Sequence, residues 1–154
     1  MRSPKAHVGK FTPKHPEKYV GNINNIVFRS SWELKLFRHL DTNTIVKKWG
    51  SEEISVNYFD PVADKTRRYF PDVFVIIEQN GKQQKIMIEV KPFVETIKPT
   101  PKLGKNGKPT PSYMIEEATY ATNTAKWEAA KAFCQQHNIK FALMTEYELG
   151  IKRR

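Results

Sequence analysis

Residues 70–92, FPDVFVIIEQNGKQQKIMIEVKP, decide the fold. Two apolar runs flank Asn80-Gly81, the pair that most favours a two-residue type I′ hairpin turn. The pattern predicts a strand over 68–77 and a returning strand over 83–91. With Asn80 and Gly81 at the centre of the turn, paired residue numbers add to 161. Ile76 then faces Lys85, Phe74 faces Met87, Asp72 faces Glu89 and Phe70 faces Lys91. One side of the ribbon carries Val73, Val75, Ile77, Ile86, Ile88 and Val90, which is plain core. The other side brings Asp72 against Glu89, with Lys91 two residues along on the same face. Directly opposed Cβ atoms lie roughly 4.5–5.5 Å apart. Two carboxylates that close repel, so one holds a proton or both share a cation.

A divalent cation resolves the repulsion. Mg²⁺ takes hard oxygen ligands, often one or two carboxylates, and fills its octahedron with water and phosphate oxygens. Asp72 and Glu89 become its ligands, with the Val90 carbonyl as a third. Lys91 then orients or activates the attacking water, or stabilises charge on the phosphate. The alternative is an ordinary ion pair of Lys91 with Glu89 or Asp72 at the end of a sheet.

The hairpin sits in a readable order of elements. Residues 30–40, SSWELKLFRHL, predict a first helix, and 45–58 hold one or two strands joined by the turn DPVADK to the first hairpin strand. Residues 92–113 carry five prolines and three Gly/Asn positions, which predicts a long Pro/Lys-rich loop. Loops of that length are commonly functional or disordered. A second helix follows within 115–137, where Trp127, Ala130 and Cys134 share a face. IKFALM, 139–144, predicts a short buried strand, and TEYELGIKRR a last short helix with a basic tail. The expected architecture is a single α/β domain with a central mixed sheet and helices on both faces.

Glu33 joins the carboxylates. Ser30-Ser31-Trp32-Glu33 fits a capping box, with Ser30 as N-cap and Glu33 reaching back. Yet Glu33, Leu36, Phe37 and Leu40 lie at i, i+3, i+4 and i+7, so this carboxylate also sits on the helix's apolar stripe, toward the sheet. Both roles are compatible.

Charge points to the partner. The chain has 154 residues, 39% of them apolar and 27% charged, enough for one domain with a sizeable core. Net charge is +10 and the pI about 9.7, which favours a polyanion, against the alternative of a merely solvated Lys-rich surface. The first 28 residues read as a basic, Lys/Pro-rich extended arm without the apolar core of a signal peptide. No stretch is apolar enough to span a bilayer. The single Cys134 excludes an internal disulfide, fits a reducing compartment and falls on a core face. Candidate phosphate contacts are Lys65, Arg67 and Arg68 near the strand leading to Asp72, Lys126 on the second helix, and Lys102, Lys105 and Lys108 in the loop. Each has a bland alternative as a solvated cation. GKNGKP, 104–109, is not a Walker loop, because its glycine spacing is too short and Pro109 replaces Ser/Thr. His7, His15, His39 and His137 lack metal-ligand spacing, and Trp32, Trp49 and Trp127 read as core.

Glu33, then Pro71-Asp72, then Glu89-Val90-Lys91 resembles the PD-(D/E)xK nuclease signature, with the elements in matching order. A closer likeness spans most of the chain. PEKYVGNINNIVFRSSWE (16–33), KKWGSEEISVNYFDP (47–61), RRYFPDVF (67–74), IEVKPFVET (88–96), NTAKWEAAK (123–131) and IKFALMTE (139–146) resemble the head completion nucleases of T4-like tailed phages. The FPD…EVK…KW…TE layout is also similar to the TnsA transposase endonuclease. The resemblance implies a restriction-endonuclease-like core and a Mg²⁺-dependent DNA endonuclease, for which Mn²⁺ can substitute. Glu33, Asp72, Glu89 and Lys91 are the implied catalytic set, with Glu33 binding a second metal or holding a water. Implied partners are DNA and phage head, portal or neck proteins, in the host cytoplasm during assembly or in the virion. Homo-oligomerisation stays open. DNA structure or ends are expected to matter more than sequence, since no base-reading helix is evident. The alternatives are a virion assembly or neck-joining factor with secondary nuclease activity, a TnsA-type or resolvase-type recombination endonuclease, and a non-catalytic DNA-binding module. Residues 98–112 depart from the family pattern, which leaves substrate preference open.

Overall fold

A computed structural model describes residues 6–151 of the chain. In chain order the elements are β1 (Ala6–Lys10), β2 (Val27–Ser30), α1 (Ser31–Thr42), β3 (Val46–Ser51), β4 (Val56–Asp60), β5 (Lys65–Tyr69), β6 (Val73–Gln79), β7 (Lys82–Val90), α2 (Pro111–Gln136) and β8 (Lys140–Met144), with 3₁₀ turns at Pro16–Lys18 and Phe93–Thr96. The central sheet has four strands in the order β3-β6-β7-β8; β1-β2 and β4-β5 form separate two-stranded ribbons. β7 pairs antiparallel with β6 and parallel with β8, so the sheet is mixed. A parallel neighbour requires a crossover, and α2 supplies it.

From Val73 to Gln79 the β6–β7 hairpin has the register expected from its turn; the ladder stops short of the expected Asp72–Glu89 and Phe70–Lys91 pairs. Val73 pairs with Ile88, Phe74 with Met87 and Ile76 with Lys85. Asn80 at φ 54° and Gly81 at φ 76° make the turn, as type I′ requires. The even–odd alternation sends Val73, Val75 and Ile88 into one core with Leu36, Phe37 and Leu40 of α1. Trp49, fully buried, lies at its centre against Tyr19, Phe11 and Phe37, at ring distances of 4.7, 5.8 and 5.2 Å. On the opposite face Met87 is fully buried and meets Cys134 of α2. A second core there joins Trp127 and Ala130 of α2 to Val56, Tyr58 and Tyr69 of the β4-β5 ribbon. Helices therefore cover both faces. Each fully buried large apolar side chain contributes about 1.5–3 kcal/mol.

Local chemistry sets the helix ends. The Ser30 hydroxyl accepts from the Glu33 N–H at 3.2 Å and starts α1. Thr110 caps α2 by accepting from the Tyr113 N–H at 3.3 Å, with Pro111 in the first turn. Proline suits that position because its missing N–H would be unpaired anyway. α2 thus begins four residues before the expected 115. At its end Asn138 turns left-handed at φ 56°, and the Ile139 N–H returns to the Cys134 carbonyl at 2.8 Å, which is a Schellman closure.

Three expectations need correction, and the expected loop gains detail. The predicted strand 68–77 is two strands, because Phe70-Pro71-Asp72 leaves the extended ladder; Pro71 cannot donate to it and restricts Phe70. Within the predicted 92–113 loop, Gly104 N–H bonds the Lys108 carbonyl at 2.8 Å and Thr110 N–H bonds the Lys102 carbonyl at 2.9 Å, closing a tight finger. TEYELG forms hydrogen-bonded turns rather than a helix, and the tail at 152–154 lies outside the described residues. The stretch read as a basic arm is stapled down in its described part: Phe11, Tyr19 and Ile26 are core residues. Lys18 Nζ donates to the carbonyls of Leu40, Asp41 and Asn43 at 2.7, 2.8 and 2.9 Å, while Asp41 accepts from the N–H groups of Lys14 and His15. No helix among the described residues is long and apolar enough to cross a membrane.

Candidate active site

Asp72 sits where the chain enters β6. Its carbonyl accepts from the Glu52 N–H at 3.1 Å, and its Oδ2 accepts from the Val90 N–H at 2.8 Å. That second bond ties the carboxylate across the sheet to the last residue of β7. Glu89, buried on β7, meets Asp72 side chain to side chain. Its Oε2 also accepts the Tyr69 hydroxyl. Burial raises the Asp72 carboxyl well above the usual carboxylate range, and the charge of Glu89 raises it further; the Val90 N–H and the Lys91 ammonium oppose this. Burial and the Glu89 carboxylate likewise raise the Tyr69 phenol, so that hydroxyl stays a donor.

Glu33 completes a chain of carboxylates. Its Oε2 accepts from the Arg29 N–H at 2.5 Å. It therefore reaches one residue further back than a capping box, which would use the Ser30 N–H. Its side chain also bonds Asp72. Burial pushes the Glu33 carboxyl up to about 7, opposed by the Arg29 N–H and aided by the charges of Asp72 and Glu52. Glu33 reaches this point because α1 starts right after β2, with its apolar stripe on the sheet.

Lys91 is half-buried and its own N–H donates to the Met144 carbonyl at 3.0 Å. Among the described residues its ammonium makes no ion pair with either carboxylate. The simple ion-pair reading of Lys91 therefore has no contact behind it, although its charge acts on Asp72.

Among the described residues no group of three or more His, Cys, Asp or Glu side chains forms a ready-made metal cage. A hard cation that keeps water and phosphate ligands needs only one or two carboxylates. The Asp72–Glu89 pair offers two adjacent acids; burial and the neighbouring charge raise the Asp72 carboxyl, a cost that a shared cation would relieve. The Val90 carbonyl is adjacent, since the Val90 N–H already holds Asp72.

The basic candidates fall into three groups. Lys65, Arg67 and Arg68 are exposed on β5; Arg67 pairs with Asp60 at 3.7 Å, and Arg68 lies 5.7 Å from the Phe70 ring centroid. Lys126 stands over Tyr58 and Tyr69, at 5.8 and 5.5 Å from the ring centroids, which places it one side chain from Glu89. Lys102 pairs with Glu116 at 2.8 Å. Lys105 and Lys108 are exposed on the finger and, among the described residues, make no ion pair with the carboxylate cluster.

Sequence reading missed Tyr69 and Arg29. A continuous strand over 68–77 would turn Tyr69 away from Asp72, three positions on; the break at Phe70–Asp72 rotates it back toward Glu89. Arg29 pairs with Glu52 through two contacts of 3.1 Å, and its charge is felt alongside Glu33 and Asp72. Only the proline in FPD could have signalled the strand break.

A family model described as TnsA-like endonuclease N terminal matches residues 43–146. The chain is 36% identical over 141 residues to the head completion nuclease of Enterobacteria phage T4, covering 92% of each chain.

Proposed function

The chain belongs to the TnsA-like endonuclease family, with its restriction-endonuclease-like α/β core, and from that footing we propose that it is a Mg²⁺-dependent DNA endonuclease that acts in phage head completion. The observation that carries the reading is the unbroken side-chain contact from Glu33 to Asp72 to Glu89 on a chain of net charge +10. Three clustered carboxylates are costly in a positive protein bound for a polyanion unless they serve a cation.

In this reading Asp72 and Glu89, with the Val90 carbonyl, hold Mg²⁺ or Mn²⁺. The bound cation supplies positive charge to the scissile phosphodiester. Lys91 orients the attacking water and stabilises charge on the phosphate oxygens. Glu33, with its carboxyl near 7, takes the water's proton; a general base works best near ambient pH. Lys65, Arg68 and Lys126 bind backbone phosphates, Lys126 from one side chain beyond Glu89, and Lys105 and Lys108 extend that contact from the finger. Arg67 and Lys102 contribute less, because Asp60 and Glu116 already hold them. Backbone contacts carry no base information, which supports selection of DNA structure or ends over sequence.

The name of the T4 relative, a head completion nuclease, supports a nuclease role in head completion; the proposal extends this to work on DNA beside head, portal or neck proteins, in the host cytoplasm during assembly or in the virion. One assay tests the chemistry. Purified protein is incubated with supercoiled, linear, forked and overhang DNA, with Mg²⁺, Mn²⁺ or EDTA, beside Glu89→Ala. Cleavage should need the cation and vanish in the variant. Equal products from both proteins would sink the proposal. Whether Glu89→Ala still completes heads in complementation separates the enzymatic role from an assembly role.

A further inference from the structure

We propose that Tyr69 is a positioning residue that fixes the metal-holding carboxylate Glu89. The inference rests on the metal-dependent reading and deepens it.

Tyr69 is the one buried residue of β5; the four before it are exposed. Its ring packs in the α2-side core, and its hydroxyl donates to Glu89 Oε2. Asp72 is restrained in the same way, because its Oδ2 accepts from the Val90 N–H at 2.8 Å. Each carboxylate of the pair thus has one oxygen committed to a protein donor. The two donors come from different elements, one from β7 and one from the β4-β5 ribbon.

The donor itself is held. Tyr58 meets the Tyr69 ring edge-on at 6.3 Å, and the Lys126 ammonium lies 5.5 Å from its centroid. A tyrosine held between Tyr58 and Lys126 is a fixed donor, whereas water at the same place would be mobile. Donors that orient a metal-binding carboxylate commonly change metal affinity when removed. The competing account is that a buried phenol only needs some acceptor and Glu89 happens to be nearest. In that case loss of the hydroxyl leaves the carboxylate's function intact.

The test is Mn²⁺ binding to the full chain, measured by calorimetry without DNA, for wild type, Tyr69→Phe and Tyr58→Phe. Tyr69→Phe keeps the packing and removes only the donor. It should weaken Mn²⁺ binding roughly ten- to a hundredfold, keep the circular dichroism spectrum, and regain cleavage at high Mn²⁺. Tyr58→Phe disturbs the same aromatic cluster but leaves the donor, so its Mn²⁺ affinity should match wild type. Unchanged affinity in Tyr69→Phe overturns the proposal, as does an equal loss in Tyr58→Phe. A wild type that binds no Mn²⁺ overturns the metal reading, and this inference with it, which distinguishes the two failures.

Discussion

Glu33 and Asp72 make the stability of the fold depend on pH in a direction opposite to most salt-bridged acids. Both carboxyls lie above their ordinary values, chiefly through burial, Glu33 at about 7. Between the unfolded value and the folded one, the native chain holds more protons than the unfolded chain, so stability falls as pH rises. In EDTA the melting temperature should drop between about pH 5 and about pH 8, and Glu33→Gln should flatten that drop. Mg²⁺ should restore the lost stability at the alkaline end, because its ligands must be ionised. A profile rising across the same range would show that these acids are ionised and paired in the native state. Asp72→Asn makes a sharper case. It removes one of two abutting acids, so in EDTA it should melt no lower than wild type while cleavage falls by at least about a hundredfold. At this scale the hairpin turn and one helical stripe made Asp72, Glu89 and Glu33 legible. Tyr69 and Arg29 were not, because their roles depend on a strand break and on pairing with a distant Glu52.

The β6–β7 hairpin is the element that aligns the acids, and its turn carries the register. Gly81 holds φ 76° with nothing within 4 Å of the place a Cβ would occupy. A side chain there meets backbone strain and no clash. Gly81→Val should cost about 1–2 kcal/mol, visible as a lower urea midpoint with an unchanged slope. An unchanged midpoint would mean the turn tolerates another geometry. This element was readable because its pairing is local and its turn residues are diagnostic. The β4-β5 ribbon was hidden inside an apparent long strand, since Tyr69 and Val73 both read as apolar while the intervening FPD changes sheets. The start of α2 was misplaced because Pro111 reads as a loop residue unless its place behind the Thr110 cap is known.

Over the whole molecule, net charge and local pairing together decide which cations are available to a polyanion. Lys105 and Lys108 are exposed and lack carboxylate partners among the described residues, whereas Lys102 is held by Glu116. Replacing Lys105 and Lys108 by Gln should reduce the slope of log affinity against log salt by about 2, and Lys102→Gln should change it less. Equal effects from all three would place the loop's contribution in its general charge. The class of fold was legible from the order of elements. The tight attachment of residues 10–26 was not, because it depends on Lys18 filling the carbonyls at the end of α1, a contact no local pattern announces.

Lys91 is joined through its own N–H to Met144, and the Phe93 N–H to the buried Glu146 at 2.7 Å. The segment that follows β7 therefore takes its backbone partners from residues more than fifty positions later in the chain. A chain cut before β8 would leave the Lys91 and Phe93 N–H groups without these acceptors, while the β6–β7 hairpin would keep its own ladder.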